Sequence, residues 1–267
     1  MKQVHIFFAA LMFLTRLPIP KWVQHKDAYL QQCSKYYTLV GMLVGLLVSV
    51  AYLLTTAVLD NTVAIIISMG VGILITGAFH EDGFADCCDA FGGGYTKDKV
   101  LEIMKDSRLG TYGVVGLCMM LLLKFTLLAQ LSTIIVTHTY SIVTIPYKAY
   151  FPLIIILAHS TSRLMPLLVL QYSTYVYQHN ASKSKPMASN KPGWRSICIA
   201  TIIALLPCIL LPYTILICLL PMCMVTYWYT QYSTQRIGGY TGDCLGAIQQ
   251  VTELVCYAFI IIILKYS

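Results

Sequence analysis

The chain has 267 residues, 58% of them hydrophobic and only 11% charged, with a mean hydropathy of +0.72. A soluble domain carries about 25% charged residues, so a soluble globular fold is excluded and a membrane-embedded one is expected. The formal charge of +7 is spread without a dense basic stripe, which leaves no case for a nucleic-acid partner and points to orientation and anionic lipid.

The opening segment, Met1 to Phe8, resembles a short signal core, but Arg16 and Pro18 follow without a small-residue cleavage pattern. It predicts a retained N-terminal helix, interfacial or half-inserted. A spanning helix needs about 20 apolar residues. Runs near that length lie at 36–57, 62–79, 112–136, 149–170, 196–211, 213–231 and 245–264. The expected fold is all-α, a polytopic bundle of about seven transmembrane helices forming one domain over 1–267. Pro207, Pro212 and Pro221 punctuate 196–231, so one kinked span plus a re-entrant piece is the alternative there.

Seven spans put the segments 15–35, 80–111, 171–195 and 232–244 on one side. These hold 13 basic residues, among them Arg16, Lys105, Arg108 and Arg236, against Lys148 and Lys265 opposite. The positive-inside rule makes the richer side cytoplasmic. Polar loop 172–195 lies there too, as a connector or as a lid over an anionic substrate. Six of the ten cysteines sit in apolar runs and no C-x-x-C pair occurs, which argues against disulfides and zinc.

Between the second and third runs stands His80-Glu81-Asp82-Gly83-Phe84-Ala85-Asp86-Cys87-Cys88-Asp89, which holds four of the eleven acidic residues. Asp82, Asp86 and Asp89 share one face if the 62–79 helix continues through 90, with Glu81 beside them. Carboxylates crowded near a helix C-terminus are destabilising unless a cation neutralises them. Hard oxygen ligands suit Mg²⁺, with Mn²⁺ as a substitute. The glycine turn Gly92-Gly93-Gly94 and the basic Lys97, Lys99, Lys105 and Arg108 follow, as a phosphate or pyrophosphate substrate requires.

A second constellation, Arg236-Ile237-Gly238-Gly239-Tyr240-Thr241-Gly242-Asp243, reads as an anion-binding turn with a further metal ligand, or as a connector. Arg163, His159, Gln249, Gln250 and Glu253 fall within spans and are expected to face the bundle interior. Arg163 either holds an anion or pairs with Glu253. Lys124 and His138 are expected to be snorkelling or interfacial residues, and His80 to support the carboxylates.

His80 to Asp89, and then Ile103-Met104-Lys105-Asp106-Ser107-Arg108-Leu109-Gly110-Thr111-Tyr112-Gly113, resemble the cobalamin synthase family, the adenosylcobinamide-GDP ribazoletransferases. Phe13-Leu14-Thr15-Arg16-Leu17-Pro18 and Gly238 to Asp243 resemble its other blocks. Ala90 departs from the pattern, where Gly is expected. The resemblance implies a multi-pass enzyme of the cell inner membrane that joins adenosylcobinamide-GDP to α-ribazole or its 5'-phosphate, uses Mg²⁺ and releases GMP. Under that reading Glu81, Asp82, Asp86 and Asp89 bind metal, and Asp106 or Asp243 completes the metal shell or takes the acceptor proton. Arg16, Lys105, Arg108, Gly110, Arg163, Arg236, Gly239 and Gly242 form the substrate-binding set. A homo-oligomer is compatible. A CDP-alcohol phosphotransferase, or a cation-coupled transporter, is the alternative.

Overall fold

A computed structural model describes residues 1–24, 26–137, 149–176 and 191–266. The described residues are helical throughout, apart from connecting turns and one isolated parallel bridge between Tyr175 and Tyr240. In chain order the helices are α1 (Lys2–Leu14), the single turn α2 (Asp27–Leu30), α3 (Tyr37–Thr56), α4 (Asn61–Thr76) and α5 (Phe79–Gly93). Then come α6 (Lys97–Ile103), α7 (Thr111–Thr137), α8 (Tyr150–Ser162), α9 (Met165–Tyr172), α10 (Trp194–Leu205), α11 (Leu219–Ile237) and α12 (Gly242–Tyr266). Short 3-10 turns precede α3 and join α10 to α11.

Five stretches are long and apolar enough to cross a membrane: Cys33–Thr56, Thr111–Val136, Tyr150–Tyr172, Tyr213–Ile237 and Gly242–Tyr266. Counting α4 with α5 makes six, against the expected seven. The shortfall has two physical causes. Trp194–Leu210 is too short to qualify, and it tightens into a 3-10 turn where Pro207 cannot continue the α-helix. The run 62–79 ends at Thr76, because Gly77 and Ala78 both take left-handed backbone conformations, with φ of 67° and 56°. The chain turns by 89° there. The acidic helix α5 is therefore no extension of α4. It starts afresh and packs against α7 and the first turns of α12.

The core pairing is α3 against α8, allowed by small residues. A Cβ at Gly45 would stand 2.8 Å from the Ile156 backbone, and one at Gly41 would strike the His159 carbonyl. Ser49 and Ser160 donate across this seam to the carbonyls of Pro152 and Thr38, at 3.0 and 2.9 Å. The bundle's two ends are distinct. At one, Tyr52 donates to Asn61 (2.6 Å) and Asn61 to Ser132 (2.8 Å). At the other, segments predicted to share a side meet: the Arg16 amide donates to the Ile75 carbonyl at 2.7 Å, and residues 174–176 bond to Tyr240. The loop 172–195 and its lid reading fall mostly on 177–190, which with His138 lie outside the described residues.

Candidate active site

The site is built where α5 crosses the first turn of α12. Close approach is possible because both helices present glycine. A Cβ on Gly83 would stand 3.0 Å from the Asp243 backbone, and one on Gly246 would stand 3.2 Å from the His80 carbonyl. This contact brings Asp243 beside Asp82 and Asp86, so that Asp86 lies in the field of Asp82, Asp89 and Asp243 together. Asp82 is exposed, while Asp86 and Asp243 are half-buried. Among the described residues no Lys or Arg forms an ion pair with any of these three. Adjacent carboxylates without a counter-cation repel one another, and these stand at an opening where a cation can enter.

No three His, Cys, Asp or Glu side chains among the described residues converge closely enough to hold a metal ion by themselves. That suits Mg²⁺, which keeps several waters and binds through one or two carboxylates plus substrate phosphates. The donor chemistry of Asp82, Asp86 and Asp243 fits such an ion, completed by ligand oxygens.

The other two acidic residues of α5 are engaged elsewhere. Asp89 is buried, and its two oxygens accept the amides of Gly110 (2.7 Å) and Gly113 (2.8 Å). It caps the start of α7 across the loop, a favourable place for a carboxylate. A Cβ at Gly110 or Gly113 would collide with that carboxylate, so the glycine spacing serves the cap. Replacing Asp89 with Ala orphans both amides and is expected to lower stability by roughly 2–4 kcal/mol. Thermal melting of the detergent-solubilised protein reads this, and an unshifted melt would show that the cap contributes nothing. Glu81 points into the bundle, where it accepts from Gln250 at 2.9 Å.

The basic residues also divide. Arg108 grips Asp106 through three contacts of 2.6 to 3.1 Å, and this holds the Asp106 carboxyl down at about 2. The two predicted roles, phosphate contact and proton acceptor, are thus joined to each other on an exposed loop. Arg236 donates to the carbonyls of Gly94 and Phe91 and to the Tyr232 hydroxyl. It lies over the rings of Phe91 and Tyr232 and completes the C-terminus of α5. Gly239 is pressed against the Thr174 carbonyl, so it serves backbone pairing and makes no open anion cradle. Lys105 is exposed and outside any ion pair among the described residues. Arg16 is exposed, and its stem covers Gly77 at the α4–α5 bend. Gly242 stands beside Asp243 at a cavity that also reaches Arg163.

His159, Arg163, Gln249, Gln250 and Glu253 face the bundle interior as expected, and one neighbour of theirs was misread from the sequence. Lys124 does not snorkel: its ammonium lies inside the bundle, 2.6 Å from Glu253. Glu253 also accepts from Gln249 (2.8 Å) and Tyr257 (3.3 Å) and lies 3.7 Å from His159. Arg163 forms no ion pair with it and donates instead to the His159 carbonyl at 2.9 Å. The signal available in the sequence was a lone Lys deep in an apolar run together with a lone Glu in another.

A family model described as "Cobalamin-5-phosphate synthase" matches residues 6–261. Adenosylcobinamide-GDP ribazoletransferase of Shewanella oneidensis is 40% identical over 267 residues, covering 98% of this chain and 95% of the relative. The proteins of the same name from Shewanella halifaxensis and Shewanella pealeana are 39% and 38% identical over 264 residues, with 98% of this chain and 96% of each relative covered. No solved structure matches.

Proposed function

The chain belongs to the cobalamin-5-phosphate synthase family, and from that premise we propose that it is an adenosylcobinamide-GDP ribazoletransferase working at the α5–α12 crossing. The acceptor is α-ribazole or its 5'-phosphate, the products are adenosylcobalamin or its 5'-phosphate, and GMP leaves. A hydroxyl oxygen of the ribose attacks the phosphorus that stays with adenosylcobinamide, and the bridging P–O bond breaks with its electron pair going to GMP. Such displacements depend mostly on positioning and charge neutralisation.

One observation carries the reading: Asp82 and Asp243 line one opening, Asp86 lies in their field, and among the described residues no basic side chain is ion-paired to any of the three. In the proposal Asp82 and Asp86 would hold Mg²⁺ together with substrate oxygens, and the ion would neutralise charge on the pyrophosphate. Asp243, half-buried beside the cavity, accepts the hydroxyl proton. Lys105, with no ion-pair partner among the described residues, contributes positive charge to the incoming diphosphate. Arg108 does so once it exchanges Asp106 for phosphate. Arg236 and Asp89 act at one remove, by fixing the end of α5 and the start of α7.

In the proposal the multi-pass bundle sits in the cell inner membrane with its site towards the cytoplasm, a reading supported by the basic segments gathered on that side. The test is GMP release from adenosylcobinamide-GDP and α-ribazole by isolated membranes. Activity is expected to vanish with EDTA and to return with Mg²⁺ or Mn²⁺. Full activity in excess chelator would remove the metal from the proposal.

A further inference from the structure

The cavity beneath the carboxylates lies between α1, α3, α5, α9 and α12 and has a volume of about 110 Å³. One wall is aromatic: Phe13 stacks on Tyr37 at 6.1 Å between centroids and meets Phe79 edge-on at 5.1 Å. Leu170, 2% exposed, lines it from α9. Arg163, 3% exposed, lines its buried end. Among the described residues only Nη1 of that guanidinium is hydrogen-bonded, to the His159 carbonyl and ring, and its Nε has no partner there. Asp82 and Asp243 stand at the mouth.

The walls are mostly apolar. Their few buried polar groups include the Arg163 guanidinium, His80 and the Gln249 amide, whose Oε1 has no partner among the described residues. Such a lining selects among the groups that the reaction brings together. A guanine edge offers several donors and acceptors, and a site that buries it must match each of them. A corrin ring is far too large. The dimethylbenzimidazole of ribazole is a flat bicycle with a hydrocarbon edge and one unsubstituted imine nitrogen. Resting on the function proposed above, we infer that this cavity receives the aromatic base of the acceptor. Arg163 donates to its imine nitrogen, and the ribose hydroxyl lies at the carboxylate mouth. The acceptor is thus seated from within the bundle and the diphosphate from outside it, so the two substrates do not compete for space.

The test fills the cavity from α9, whereas the carboxylates stand on α5 and α12. Leu170→Phe is expected to raise KM for α-ribazole about tenfold or more, the scale of a misfitted apolar pocket, while KM for adenosylcobinamide-GDP stays within about twofold. The riboside of unsubstituted benzimidazole, lacking two methyl groups, loses less. Phe79→Ala works in the opposite sense and is expected to improve turnover of a naphthimidazole riboside relative to α-ribazole. It carries the test if Leu170→Phe does not fold. Binding without turnover is read from benzimidazole fluorescence when α-ribazole is added to the purified protein in nanodiscs. A raised KM for the donor instead, or acceptor selectivity unmoved in both variants, overturns the inference and leaves the cavity to a lipid chain. Absence of GMP release by the unaltered protein would instead remove the function proposed above.

Discussion

Replacing Asp82 with Asn is expected to slow GMP release at least about 100-fold, equivalent to about 2.7 kcal/mol or more of lost transition-state stabilisation, with no loss of protein from the membrane. The two halves of that expectation have separate grounds. Asp82 is exposed at the cavity mouth and its side chain forms no hydrogen bond or ion pair among the described residues, so the fold does not lean on its carboxylate. Its carboxylate lies in the field shared with Asp86 and Asp243, where the amide keeps the shape and removes the charge. The Mg²⁺ concentration needed for half-maximal rate is expected to rise in the same variant. Near-normal turnover with an unchanged Mg²⁺ requirement would sink the assignment of this carboxylate to the metal.

Glu253→Gln attacks the fold instead. Glu253 is 1% exposed and holds the buried Lys124 ammonium at 2.6 Å, with Gln249, Tyr257 and His159 around it. Removing one member of a buried pair leaves an uncompensated charge, and the expected destabilisation is about 3–5 kcal/mol. Thermal melting in detergent and the amount of folded protein recovered from membranes both read it. Replacing the partner as well, Lys124→Met in the Glu253→Gln background, removes the stranded charge and is expected to recover most of the loss. If the double variant melts no higher than the single one, the pair is not the source of the effect.

Much of this architecture was legible in the residues. Long apolar runs give the helices, the same-side charge pattern matches the meeting of segments 15–17, 77–94 and 236–243, and the acidic run does border the proposed site. Spacing alone misled in two places. Asp82, Asp86 and Asp89 share a helix, but the i+7 position faces a different neighbour. Asp89 meets the amides of Gly110 and Gly113, and a carboxylate's partner across a loop leaves no periodic trace. Arg236 likewise reads as a phosphate ligand until α5 ends directly beneath it. The bend at Gly77 was hidden for a different reason. Gly77 is itself a usual helix stop, but the left-handed conformation extends to Ala78, a residue that ordinarily favours helix, so the sharpness of the turn leaves little local mark.

The Lys124–Glu253 pair also bears on how the molecule is made. Its cation belongs to α7 and its anion to α12, which is translated later. During synthesis α7 reaches the lipid, or the insertion machinery, while its counter-charge has not yet been translated. A lone ammonium at that depth is unfavourable by at least about 2.5 kcal/mol on insertion scales. On that ground α7 settles fully in the bundle only once α12 has been made and Glu253 meets the ammonium.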